Sequence, residues 1–245
     1  MTENRLDNME LAQRCRDVTE NLKEIREKIA RAAEKSGRHS DDITLLAATK
    51  TVPAAVINHG IREGLTHIGE NRVQELCGKY DDLELGSCRC EFIGHLQTNK
   101  VRQLIGKVSR IQSVDSVKLA KEISRLCGQQ NCSMDILVEV NIGKEENKSG
   151  VHPEGLEELI GQIAELPHIS VKGLMTIPPI SQDMVALRHL FSKMYNIFID
   201  IRGKKLDNIN MDYLSMGMSS DYELAIESGA NIVRIGSSIF GKREY

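Results

Sequence analysis

Three stretches of the chain hold residues whose types and spacing could do covalent or anion-binding chemistry. The first is Ile43–Lys50 (ITLLAATK), an apolar run closed by a lysine. Period-2 alternation puts Ile43, Leu45, Ala47 and Thr49 on one face and Thr44, Leu46, Ala48 and Lys50 on the other. An amine at the end of such a strand is partly desolvated, which lowers its pKa toward the neutral nucleophile that forms a Schiff base. A lysine that closes the strand and reaches out to solvent fits the same pattern. The second stretch runs Ser215-Met216-Gly217-Met218-Ser219-Ser220-Asp221-Tyr222-Glu223. Ser220 and Glu223 have capping-box spacing and predict a helix N-terminus, whose free N–H groups suit an anion. Ser219 is then free to offer its hydroxyl to a phosphate, although two capping serines with no ligand read equally well. The third stretch is Arg234-Ile235-Gly236-Ser237-Ser238. Gly236 lets a ligand approach the backbone closely, and Ser237 adds a hydroxyl and an N–H. Ile232, Arg234 and Gly236 share a strand face, so Arg234 must have an ion-pair partner or face a ligand.

These stretches meet only if the fold brings them together. Apolar residues at Leu11, Cys15, Val18, Leu22, Ile25, Ile29 and Ala33 predict a long amphipathic helix, ended by Gly37 as its C′ residue. Eight strand–helix units follow. The strands are Ile43–Thr49, Thr66–Gly69, Cys90–Gly94, Arg110–Val114, Asp135–Val140, Val171–Ile177, Met211–Ser215 and Ile232–Ile235. Helices are expected from Pro53, Arg72, Thr98, Val117, Pro153, Gln182 and Ser220. Alternating strands and helices predict a parallel sheet. Eight units in 245 residues match the about 250 typical of a single (β/α)8 TIM barrel with an extra N-terminal helix. A doubly wound open sheet is the alternative, but no GxGxxG follows the first strand. In a barrel, active sites sit at the C-terminal strand ends, with phosphate often bound after strands seven and eight. Lys50 and both serine loops fall there. Asn71, after the second strand, and His95, after the third, could line the same mouth. Asn71 with Gln74 also fits a capping box, and His95 a core imidazole.

Composition narrows the function classes. The chain is 40% apolar and 27% charged, as in a globular domain, and its net charge is −3. No long basic run offers phosphate contacts to nucleic acid or a polybasic patch to a membrane. No apolar run approaches the about 20 residues of a bilayer span, and the first thirty residues hold no signal-peptide core, so a cytoplasmic location is expected. Cys15, Cys77, Cys88, Cys90, Cys127 and Cys132 show no zinc spacing and read as reduced thiols; no metal is expected.

A Schiff-base lysine, a two-loop phosphate cup and a buried arginine at one barrel end suit a phosphorylated aldehyde, with pyridoxal 5′-phosphate (PLP) the leading candidate. The runs Leu45–Thr51 (LLAATKT), Ile68–Glu75 (IGENRVQE), Phe92–Lys100 (FIGHLQTNK), Gly173–Thr176 (GLMT), Leu214–Asp221 (LSMGMSSD), Val233–Gly236 (VRIG) and Ile239–Gly241 (IFG) resemble the PLP homeostasis protein family, related to the N-terminal barrel of alanine racemase. The resemblance covers residues 10–242. It implies an N-terminal helix over 1–37 packed on a PLP-binding barrel over 38–245. It also implies a Lys50 internal aldimine, phosphate held by Ser219, Gly236 and Ser237 with Ser220, Arg234 facing the pyridine nitrogen, and Asn71 beside the ring. Arg234 would leave that nitrogen unprotonated and the ring a poor electron sink. The sequence ends at Tyr245, directly after the barrel, so the β domain and tyrosine base of alanine racemase-like enzymes are expected to be missing. The favoured function is therefore non-catalytic holding of PLP, with PLP-dependent apo-enzymes as recipients and the acidic pI compatible with a monomer. A small PLP-dependent racemase or transaminase, and a cofactor-free aldolase using Lys50, are the alternatives.

Overall fold

In the computed structural model, which describes residues 8–241, eight parallel strands close into a barrel in sequence order, with the last paired back on the first. They are β1 (Thr44–Ala48), β2 (His67–Glu70), β3 (Arg89–Phe92), β4 (Arg110–Val114), β5 (Met134–Val140), β6 (Ile169–Thr176), β7 (Ile209–Ser215) and β8 (Ile232–Ile235). The helices are α1 (Asn8–Lys35), α2 (Ala54–Arg62), α3 (Val73–Lys79), α4 (Val117–Gln129), α5 (Leu156–Ala164), α6 (Met184–Gly203), α7 (Tyr222–Glu227) and α8 (Ser237–Phe240). The expected order of elements holds, with one change of type. The helix expected from Thr98 is a 3-10 helix over Thr98–Gln103. Val101 and the following Leu104, both fully buried, are three residues apart, which matches the 3-10 repeat rather than the α repeat.

The α1 stripe packs as its spacing predicts, burying Val18, Leu22, Ile25, Ile29, Ala32 and Ala33. Gly37 stands at φ +71, and the Gly37 and Arg38 amides donate to Glu34 O and Ala33 O at 2.9 Å. Those two bonds make a Schellman cap, which favours glycine at its left-handed position. Asn21 Nδ2 donates to Ile239 O at 3.0 Å, and Thr19 Oγ1 lies 2.9 Å from His59 Nε2, tying α1 to both α8 and α2. Among the described residues, no helix is long and apolar enough to cross a membrane.

Most of the apolar core lies between sheet and helices. A small separate apolar cluster, Leu46, Ile93 and Ile232, with Ala48 and Tyr213 against it, lies in the barrel interior. Buried polar side chains lie beside it. Ser215 on β7 donates to Gln112 on β4 at 2.6 Å, and these strands are not neighbours, so the bond crosses the barrel. Arg110 stacks 3.9 Å over the Tyr213 ring and lies 3.6 Å from Glu91. A register shift between Ile111 and Val114 buries the consecutive polar residues Gln112 and Ser113.

Val138 and Val140 belong to the outer core, so Glu139 between them faces inward. Burial first and the Asp115 charge second, opposed by Arg234, raise its carboxyl from 4.5 to about 7. The folded chain therefore holds a proton that the unfolded chain releases between pH 4.5 and about 7, and stability falls as pH rises through that window. Glu139→Gln removes the titration. Urea unfolding is expected to show the variant gaining on wild type by up to about 3 kcal/mol between pH 4.5 and 8, and parallel curves would refute this.

Candidate functional site

The exit of β1 is built around a buried ion pair. Glu70, 1% exposed at the end of β2, meets Lys79 of α3 with Oε2 and Nζ 2.5 Å apart. Nζ also pairs with Glu75 at 3.0 Å and donates to Thr49 O at 2.8 Å and Val52 O at 3.4 Å. Glu70 Oε1 accepts the Asn71 amide at 2.8 Å, and its Oε2 lies 3.2 Å from Thr49 Oγ1. One pair thus grips the chain on both sides of Lys50 and the residue that opens the β2 loop. The Thr51 amide donates to Glu75, and Thr51 itself stands at φ +64. A β-branched residue in the left-handed region costs about 1–3 kcal/mol and persists where its surroundings over-determine it. Lys50, half-buried, follows β1 by two residues in the turn at the barrel's C-terminal rim.

The loops after β7 and β8 meet through one hydroxyl. Ser219 Oγ accepts the amides of Gly236 and Ser238, each at 3.3 Å. Its own proton remains for an acceptor outside that pair. The Gly236 backbone passes against the end of β1, where a Cβ would stand 3.2 Å from Ala48 O. The serine loops therefore adjoin the strand that leads to Lys50. The sequence pattern shows Ser238 as one more serine in its loop, and only the fold shows that its amide meets Ser219.

Two capping expectations are corrected. Ser220 does not cap α7: it is exposed, and its hydroxyl lies 3.3 Å from Asp221 Oδ2. Asp221 is the N-cap residue and turns its other oxygen back to the Met218 amide at 2.6 Å. With the helix starting one residue later, the Ser220–Glu223 spacing no longer spans N-cap to N3, and the box is unmade. Asn71 is not a cap either. Arg72 holds that position before α3, and Asn71 Oδ1 is buried without a hydrogen-bond partner. A buried acceptor left unpaired is costly, so this atom marks a place where a ligand donor fits. Ser237, exposed, opens α8 beside Gly236.

Arg234 is buried and pairs with no carboxylate among the described residues, which sets aside the ion-pair alternative. Nη1 donates to Ser215 Oγ at 2.7 Å and Nη2 to Thr176 O at 2.8 Å. Burial lowers its pKa to about 10, partly offset by Glu139 and Asp221, so the guanidinium stays cationic at neutral pH. His95 is no core imidazole: it is exposed at the mouth, with Nδ1 3.0 Å from Ser149 Oγ and 4.0 Å from Asp115 Oδ2. The six thiols are unbridged, and burial pushes Cys88 up to about 11 and Cys90 to about 12, leaving both inert as nucleophiles.

The rim thus presents an amine, a hydroxyl–amide cup, an unpaired amide oxygen and a donor-only cation. Residues 20–244 match the family model described as "Alanine racemase, N-terminal domain". A protein of Aquifex aeolicus named "Pyridoxal phosphate homeostasis protein" is 46% identical over 229 residues, 94% of this chain and 100% of that one. The solved structure of PipY from Synechococcus elongatus with PLP bound is 30% identical, superposes with a TM-score of 0.80, and covers 91% of this chain and 100% of its own. Alanine racemase from Corynebacterium glutamicum shares the fold at a TM-score of 0.70 and 14% identity, with 62% of its length covered. By length and identity of match, the chain belongs to the pyridoxal phosphate homeostasis protein family, built on the alanine racemase N-terminal barrel.

Proposed function

We propose that this protein binds PLP through Lys50 and holds it in the cytoplasm as part of vitamin B6 homeostasis, passing it to PLP-dependent apo-enzymes rather than turning over amino acids. The observation that carries the reading is the Ser219 bridge, which ties the Gly236 and Ser238 amides to one hydroxyl beside the strand leading to Lys50. The PLP bound by PipY, and the names of the curated relatives, support the same reading.

When bound, PLP supplies an aldehyde that reacts with amines and a ring that can delocalise negative charge. The chain's residues divide the holding of it. Lys50 offers its amine to the aldehyde carbon. Ser219 donates its hydroxyl proton to phosphate, while the Gly236, Ser237 and Ser238 segment lines the cup. Ser220, exposed, contributes only at its edge. Asn71 Oδ1 accepts a donor beside the ring. Arg234 faces the ring nitrogen with N–H donors alone and yields no proton near neutral pH, since its pKa stays at about 10. That choice withholds the protonated nitrogen on which strong carbanion stabilisation depends. A transaminase would be better served by an acid at this position. A cofactor-free aldolase would have no use for Arg234.

Lys50→Ala is expected to abolish the visible absorbance of the PLP-loaded protein and leave its far-UV spectrum unchanged. Borohydride reduction and peptide mapping should find the adduct on Lys50. An adduct on Lys148, in the loop after β5, would overturn the assignment. Ser219→Ala is expected to weaken PLP binding by about 1.5–3 kcal/mol, the worth of a hydrogen bond to a charged group, while shifting the melting temperature little. Equal affinity would reduce Ser219 to a loop tie. Finally, PLP-loaded protein incubated with L-alanine in deuterated water is expected to incorporate deuterium at Cα no faster than free PLP does. Exchange or D-alanine formation at about 1–10³ per second would establish the racemase alternative instead.

A further inference from the structure

The polar interior of the barrel forms a single directed line of hydrogen bonds beneath Arg234. We infer that Ser215, Gln112 and Glu91 are positioning residues that aim the Arg234 guanidinium at the cofactor ring; this rests on the PLP-binding reading above.

The direction of the line follows from what each group can do. A guanidinium has donors only, so Ser215 Oγ must accept from Arg234 Nη1, at 2.7 Å. The one proton of the Ser215 hydroxyl is then committed to Gln112 Oε1, at 2.6 Å. That commitment turns the other end of the Gln112 amide toward Glu91, and Nε2 donates to Glu91 Oε2 at 2.7 Å. Arg110 stands 3.6 Å from the other Glu91 oxygen, favouring the charged carboxylate against the burial that raises its pKa. Gln112, Ser215 and Glu91 are each fully shielded from solvent, so no water competes for their protons or lone pairs.

With Glu91 ionised, each link therefore has one assignment of donors and acceptors, which pairs the Ser215 hydroxyl and both ends of the Gln112 amide. Arg234 gains a fixed plane: Ser215 Oγ takes a hydrogen of one terminal nitrogen, Thr176 O takes a hydrogen of the other, and the remaining N–H groups keep a set direction. Long cationic side chains otherwise sample many rotamers, and a site built on one gains by fixing it in advance. None of these residues stands out in the sequence as a cofactor contact, since the line joins β3, β4, β7 and β8 only across the closed barrel.

The test compares wild type, Ser215→Ala and Gln112→Met, with Lys50→Ala as the attachment control. PLP affinity is measured by equilibrium dialysis, the absorption spectrum of the loaded protein is recorded across the neutral pH range, and the melting temperature is taken without PLP. Both line variants are expected to bind PLP about tenfold more weakly, with a displaced absorption maximum, while still bonding it at Lys50. The spectral displacement is the part that a purely structural role would not produce. If one variant fails to fold, the other decides the matter. Lower melting temperatures with wild-type affinity and spectrum would overturn the positioning role and leave PLP binding intact. A wild-type protein that takes up no PLP would overturn both.

Discussion

A parallel sheet that closes on itself has no edge, and all its strands must end on one rim. Every other feature of this molecule depends on that constraint. Lys50, Asn71, Ser219 and Gly236 lie far apart along the chain, and each follows a strand. Closure alone brings their strand ends to a common mouth. Register then sets the neighbours: β8 pairs with β1, so the backbone at Gly236 passes Ala48, two residues before Lys50. No long loop is needed to assemble the site.

Closure also creates an interior, which this chain fills with charge as well as hydrocarbon. Leu46, Ile93 and Ile232 occupy only part of it. Arg110, Glu91, Gln112, Ser215 and Arg234 occupy much of the remainder. A charge removed from water is costly unless its hydrogen bonds are met. Those of Arg234, Ser215 and Gln112 are met from strand to strand, while Glu91 Oε1 and Arg110 Nη1 face each other at 3.6 Å in a charge contact without a hydrogen bond. Arg234 at the upper end is held without a carboxylate partner, so its positive charge remains available to whatever lies above it. An apolar barrel centre would be more stable and would leave no such group at the mouth.

The Glu70–Lys79 pair does comparable work at the rim. Burying two opposite charges together gains little net stability, but removing either partner would strand the other. Its value here is geometric. Lys79 holds the carbonyls of Thr49 and Val52, and Glu70 holds the Asn71 amide, so the backbone on both sides of Lys50 is pinned. The left-handed Thr51 shows that this grip outweighs a local conformational cost. A lysine on an unconstrained loop would reach the mouth in many poses; this one is presented from a fixed turn.

The sequence by itself determined the element order and hence the barrel, because apolar periodicity and turn residues report on each segment's own burial. It also pointed to Lys50 and the serine loops, because a barrel's strand ends can be counted along the chain. It left open whether Asn71 caps or lines the mouth and whether His95 fills the core or lines the mouth, and it misjudged the capping role of Ser220. Capping-box spacing records only that a bond could form, and Asp221 and Arg72 took the positions instead. Tertiary structure alone decided the partners of Arg234, the Ser219 bridge to Ser238 and the Lys79 clamp. Each of these joins residues from different strand–helix units. Hydrogen bonds across a closed barrel have no period along the chain, so no local pattern could announce them.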